Sequence, residues 1–192
     1  MIIEVYEVDE GADNDYAKGK LKYMEQENFD GDKLMNKSIY NEDQSLRGKE
    51  VYDYNADSKN PIGSKYYDQQ GALLSTYKYT FKDSLKVESK GFEGDTDALL
   101  RIERFLYDDK GNMVRKSIYD ASEIIQRSFL FGHDAYGNEV KMVLLDGNDE
   151  EVLSESYEIV TRAETGEWIE KWGYVNDNSA PSTFYHKRKS DL

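Results

Sequence analysis

The chain contains no cysteine. Disulfides, thiolate nucleophiles and cysteine-ligated zinc are thereby excluded, although the absence fixes no compartment. Only two residues of the 192 are proline and two are histidine. So little proline rules out a proline-rich linker, and two histidines leave few candidates for a general base. No apolar run approaches the length of a membrane-spanning helix. The opening MIIEVYEVDE alternates apolar and acidic residues and lacks the basic segment and apolar run of a signal peptide. Two localisations follow as expectations: cell envelope or secreted if a leader has been removed, cytoplasmic if Met1 is the native start.

What is present is aromatic and acidic. Hydrophobic residues make up 38% and charged residues 33%, a balance that alone would favour disorder. Sixteen tyrosines, seven phenylalanines and two tryptophans argue for a folded β-rich chain with a thin core, because a tyrosine ring suits a half-wet surface. The net charge of −14 disfavours nucleic acid and anionic lipid as partners. It serves solubility, or it matches a basic protein partner.

Turn segments recur in two interleaved series. The first opens at Phe29, Tyr54, Phe81, Tyr107 and His133, with gaps of 25, 27, 26 and 26 residues. The second opens at Tyr40, Tyr67, Phe92 and Tyr119, with gaps of 27, 25 and 27, and Asp146-Gly147-Asn148-Asp149 continues it. Each turn is rich in Asp, Asn and Gly, which bond their own backbone or supply positive φ. Alternating runs of six to ten residues lie between them. The unit is a two-stranded hairpin of about 26 residues. A second regularity is an aromatic column at Tyr52, Tyr79, Phe105, Phe131 and Tyr157. The period of two puts it on one face, with Asp53, Lys78, Thr80, Arg104 and Ser128 on the other. Asp97–Leu106 and Ser122–Arg127 also carry helical spacing, but the repeat register favours strands there, with a helical turn near Asp95–Ala98.

These patterns predict an all-β fold: a long antiparallel meander of about 12–14 strands, curled as a single sheet, with a closed barrel as the alternative. The expected domain is single and covers 1–192, with a capping hairpin at 1–19, repeats at 20–175, and an edge strand with a basic tail at 176–192. First and last strands near 2–8 and 182–188 would then have unpaired edges, able to add a strand from a basic partner.

Tyr107-Asp108-Asp109-Lys110-Gly111-Asn112-Met113 resembles the Tyr-Asp core of bacterial RHS/YD repeats, and His133-Asp134-Ala135-Tyr136-Gly137-Asn138-Glu139 is a second copy with His in the Tyr place. Thr165-Gly166-Glu167-Trp168 is similar to a Gly-Asn-Trp variant of uncharacterised Bacteroidetes-type envelope repeat proteins. Tyr54-Asn55 and Phe81-Lys82 depart from the motif. The resemblance implies a hairpin array in a surface or secreted protein, often a shell or scaffold, with no catalytic residues to carry over.

Catalytic chemistry finds little footing. His133 holds a column-flanking position with no Ser or Asp motif beside it, and His186 belongs to a basic terminal run. Asp53-x-Asn55-x-Asp57 has the first ligand positions of a calcium loop but then offers Ser58 where Gly is required and Ser64 where a bidentate Glu is required. No metal, cofactor or enzymatic activity is expected. Trp168 and Trp172, four apart in a strand and so on one face, are candidates for stacking on sugars, or for capping an open core. The leading expectation is a non-catalytic scaffold or protein-interaction module of a bacterial envelope or secreted system. An intracellular acidic immunity or antitoxin-type protein and a carbohydrate-binding module are the alternatives.

Overall fold

Fourteen antiparallel strands, each hydrogen-bonded to its sequence neighbours, close on themselves in the computed structural model, which describes residues 1–11, 15–56 and 58–189. They are β1 (Ile2–Glu10), β2 (Tyr16–Asp30), β3 (Lys33–Asn41), β4 (Leu46–Tyr54), β5 (Pro61–Asp68), β6 (Leu73–Lys82) and β7 (Leu85–Glu93), then β8 (Leu99–Tyr107), β9 (Met113–Asp120), β10 (Ile125–His133), β11 (Glu139–Asp146), β12 (Glu151–Arg162), β13 (Trp168–Val175) and β14 (Thr183–Arg188). Among the described residues there is no helix. Asp97–Leu106 leads into β8, Ser122–Arg127 leads into β10, and the helical turn expected near Asp95–Ala98 is a plain turn.

The two turn series occupy opposite rims of the barrel, because every strand reverses direction. The Asp-rich turns share one five-residue geometry. Asp108 donates its N–H to the Asn112 carbonyl, and Gly111 N–H bonds back to the Asp108 carbonyl. Asp108 Oδ1 accepts the N–H groups of Lys110 and Asn112 at 2.9 and 2.8 Å. Asp68, Asp120, Asp134 and Asp146 repeat the pattern. The fourth residue needs positive φ, supplied by Gly71, Gly111 and Gly137 at φ near 83°. Glu123 and Asp149 take that conformation without being glycine. The Asp-x-x-Gly-Asn spacing is thus a loop requirement. It also uses the carboxylates on backbone N–H groups rather than leaving them free for a cation.

Closure overturns the expected open sheet. β1 pairs with β14 in register from Ile2↔Arg188 to Tyr6↔Phe184, so the edges expected at 2–8 and 182–188 are paired with each other. The edge strand assigned to 176–192 is an interior strand of a continuous wall, and His186 lies within it rather than in a solvated tail; residues 190–192 lie outside the described residues, as do 12–14 of the terminal hairpin. Two physical features close the wall. Nearly every hairpin carries a bulge, as between Thr80/Phe81, Leu106/Tyr107 and Gly91/Phe92, and each bulge adds twist. The seam also gathers three of the seven best-buried apolar residues, Ile2, Val5 and Phe184, at 7%, 2% and 7% exposure. On its outer side Glu4 accepts Tyr6 Oη at 2.8 Å and Arg188 Nε at 3.0 Å, with His186 Nδ1 3.2 Å away.

Register fixes which residues face inward. Tyr52 pairs with Ser64, and Ser64 with Tyr77, two residues before the column residue Tyr79. Tyr79–Ser89–Glu103, Phe105–Lys116–Phe129 and Phe131–Met142–Glu155 repeat that stagger. A constant two-residue step per hairpin tilts the strands, as barrel closure requires. All five column residues point into the lumen, and the ring continues through Tyr185 in β14 and Tyr23 in β2.

Candidate functional site

The lumen is not an apolar core. Glutamates stand two residues before the column in alternate units: Glu50 before Tyr52, Glu103 before Phe105, Glu155 before Tyr157. Lysines come from the partner strands: Lys37 in β3, Lys86 in β7, Lys116 in β9 and Lys171 in β13. Burial of these charges is offset by pairing and by aromatic faces.

One cluster spans β4 to β9 around a cavity of ≈ 440 Å³ lined by ten residues, among them Glu50, Tyr66, Lys86, Ser89, Arg101 and Lys116. Glu50 accepts Tyr52 Oη at 3.0 Å, Tyr79 Oη at 3.1 Å and the Ser64 hydroxyl. Ser64 is fully buried. Glu103 lies 3.3 Å from Lys116 Nζ and 3.3 Å from Arg101 Nε. That Arg101 nitrogen is close enough for an ion pair but not aligned to donate, and it is left without a hydrogen bond. Arg101 Nη2 donates instead to Tyr77 Oη at 2.7 Å. Lys86 Nζ forms no hydrogen bond or ion pair among the described residues. It hangs 4.5 Å from the Tyr79 ring centre and 4.8 Å from that of Phe105. Burial lowers its pKa, against the opposing pull of Glu103 and Glu50.

A second cluster lies across β10 to β14. Lys171 Nζ is caged by Tyr157, Trp168 and Tyr185 at 3.5, 4.9 and 5.0 Å. Burial pulls its pKa down to about 8, partly offset by Glu139 and Glu155. Burial also raises Glu139, with Lys171 opposing. The hydroxyls of Tyr52, Tyr79, Tyr157 and Tyr185 are pushed far above the usual tyrosine range, first by burial and then by the neighbouring glutamates.

The two tryptophans do not share a face. A bulge shifts the β12–β13 register between Thr161/Arg162, which turns Trp168 inward over Lys171 and Lys187. Trp172 remains outside, its ring 4.6 Å from Phe184 beside Tyr6. No joint platform of Trp168 and Trp172 exists. Asp53 lies on the outer wall 3.8 Å from Lys65, while Asp57 lies outside the described residues. Sequence reasoning found the aromatic column but missed the lumen charges. Their signal is a Glu-x-aromatic triplet recurring at 53 and 52 residues, twice the hairpin period.

The outer wall is also charged at mid-strand. Lys65, Lys78, Glu88, Lys90, Arg104 and Arg115 all project outward, and Arg104 lies 3.4 Å from Glu88 and 2.6 Å from Glu123. Exposed aliphatics concentrate toward the rims, as at Leu74, Leu100, Leu106 and Val152.

No family model and no curated protein matches the chain. Among solved structures, a porin-like protein from Bacteroides uniformis is similar over 96% of this chain and 94% of that chain, with TM-score 0.52 and 10% identity. The pore structure of a Photorhabdus luminescens Tc holotoxin aligns with 92% of this chain and 12% of that chain at TM-score 0.38 and 9% identity, too distant to carry an argument. The first likeness speaks to the fold alone, over nearly the whole of both chains. The RHS/YD resemblance stays a likeness of turn motif.

Proposed function

We propose that the chain is a non-catalytic scaffold or interaction barrel of a bacterial envelope or secreted system, working with its outer wall in water rather than in lipid. The observation that carries this reading is the charge on both faces of the wall at mid-strand. A lipid-facing barrel needs a continuous outward apolar band, and a charge at the bilayer midplane costs about 2–4 kcal/mol for Arg or Lys. Here Lys65, Lys78, Lys90 and Arg104 stand on neighbouring strands where that band would have to run. The porin-like neighbour supports the barrel alone. The envelope or secreted setting rests on the likeness of the turn motifs at 107–113 and 133–139 to those of surface repeat proteins. The −14 net charge favours basic protein partners, reached through steering that weakens with salt.

Fractionation of the native host, with and without detergent, tests the reading. The expected result is a protein in the envelope or secreted fraction that is released by raised salt and stays monodisperse without detergent. Recovery only in detergent, with flotation on lipid vesicles and conductance across a bilayer, would establish a pore instead. Recovery in the cytosol alone would remove the envelope setting.

A further inference from the structure

We propose that the lumen cavity between β4 and β9 is a binding site for a small hydroxylated organic anion, a sugar acid of mono- or disaccharide size. The site goes beyond the scaffold reading and stands whether or not the barrel resides in the envelope. The cavity volume of ≈ 440 Å³ lies in the range of small-molecule sites. Its lining carries three cations, Lys86, Arg101 and Lys116, against two carboxylates, Glu50 and Glu103, so it is positive inside a chain of net charge −14.

The unmet partners define the ligand. Lys86 Nζ has only aromatic faces around it, at 4.5 and 4.8 Å, and no counter-ion in contact among the described residues. An anionic group seated there would supply the missing charge-assisted bonds. Ser89 lines the same cavity at 1% exposure, and its hydroxyl and that of Tyr66 have no hydrogen-bond partner among the described residues. Tyr77 Oη already accepts from Arg101 and Ser75, which leaves its proton free to donate. Hydroxyls that face a cavity in this way are placed to bond the hydroxyls of a ligand, and the buried Arg101 Nε beside them lacks a partner. A bare inorganic anion would meet Lys86 and leave the hydroxyl wall unused beside two carboxylates. A neutral sugar would meet the hydroxyls and leave Lys86 unpaired. The cavity faces the rim where β8 begins: there the Arg101 side chain is 42% exposed, and Glu103, one pleat deeper, is 9% exposed.

Calorimetric titration of the purified full chain with sodium glucuronate, glucose and sodium phosphate as separate arms tests the site. Glucuronate should bind with Kd of about 1 mM or tighter and at least tenfold better than either glucose or phosphate. Lys86→Met should weaken it at least tenfold, and Ser89→Ala several-fold, with the thermal transition of Ser89→Ala retained. Ser89→Ala keeps the test decisive if Lys86→Met does not fold. No glucuronate binding at tens of millimolar would overturn the proposal. So would phosphate binding equal to glucuronate, or affinity unchanged in the folded variants.

Discussion

Lys86 and Lys171 show how single residues set the character of this lumen. Each lies on the second strand of a hairpin boundary and is bracketed by two successive column rings, Tyr79 and Phe105 for Lys86, Tyr157 and Tyr185 for Lys171. The rings partly offset desolvation but do not remove it. For Lys171 the pKa is 10.5 in the unfolded chain and about 8 in the fold. Between those values the unfolded chain binds the proton more, so stability rises with pH across that window; below it the cost of the buried charge is fully present. Tyr52, Tyr79, Tyr157 and Tyr185 act in the opposite sense. Their folded pKa values exceed the ordinary 10.0, so the unfolded chain ionises first and stability falls as pH rises past that point. Urea titrations across pH should therefore find maximal stability at about pH 9–10. Lys171→Met should be more stable than the parent at neutral pH by at most about 3 kcal/mol and should lose the rise above pH 8. A parent profile flat from neutral to alkaline pH would contradict the buried-lysine account.

The turn aspartates make a second test at this scale. Asp134 is held down at about 2: partial burial opposes this, but the Asn138 amide and backbone N–H groups and Arg162 outweigh it. Asp134→Ala should cost about 1–3 kcal/mol of unfolding free energy, read by denaturant titration, because charge-assisted bonds to backbone N–H groups are lost. Asp109→Ala, an exposed neighbour in an equivalent loop, should stay within about 0.5 kcal/mol. The Asp turns were legible because the side chain and the positive-φ Gly lie within five residues. Glu50, Glu103 and Glu155 were not, because each looks like an ordinary polar residue until its two-hairpin spacing and its inward parity are joined.

At the scale of the strand, alternation and turn spacing made the hairpins readable from the sequence, including β8, where helical spacing competed. Strand faces were readable too, except where a bulge intervenes. Parity counted straight through β13 puts Trp168 and Trp172 together; the extra residue at Ile169 separates them. Burial was less uniform than the column implies. Phe105 is 6% exposed, whereas Phe131 is half-buried. Phe105→Ala should therefore cost about 3–5 kcal/mol, and Phe131→Ala clearly less. Thr80→Ala, on the outer wall, should cost well under about 1 kcal/mol. Equal small losses at all three positions, read by chemical denaturation, would mean that the column does not face an enclosed lumen.

At the scale of the whole molecule, the sequence set the repeat, the strand count range and the inward aromatic row, but not whether the row closes. Closure depends on accumulated twist, on bulges at successive hairpin ends, and on a match between strand number and stagger, none of which any single repeat contains. Its consequences are large. Closed, the wall has no free strand edge among the described residues, so any partner would meet the outer wall, the rims or the lumen. It also removes the lumen charges from bulk water and gives Lys86 and Lys171 their perturbed character. The seam between β1 and β14 is the point on which all of this turns. Backbone nuclear Overhauser contacts in the full chain read it directly. The closed barrel predicts cross-strand contacts in register from Ile2 with Arg188 to Tyr6 with Phe184, joined by slow amide exchange in both strands. Absence of those contacts, with the amides of both strands exchanging within minutes, would restore the open sheet and contradict the account.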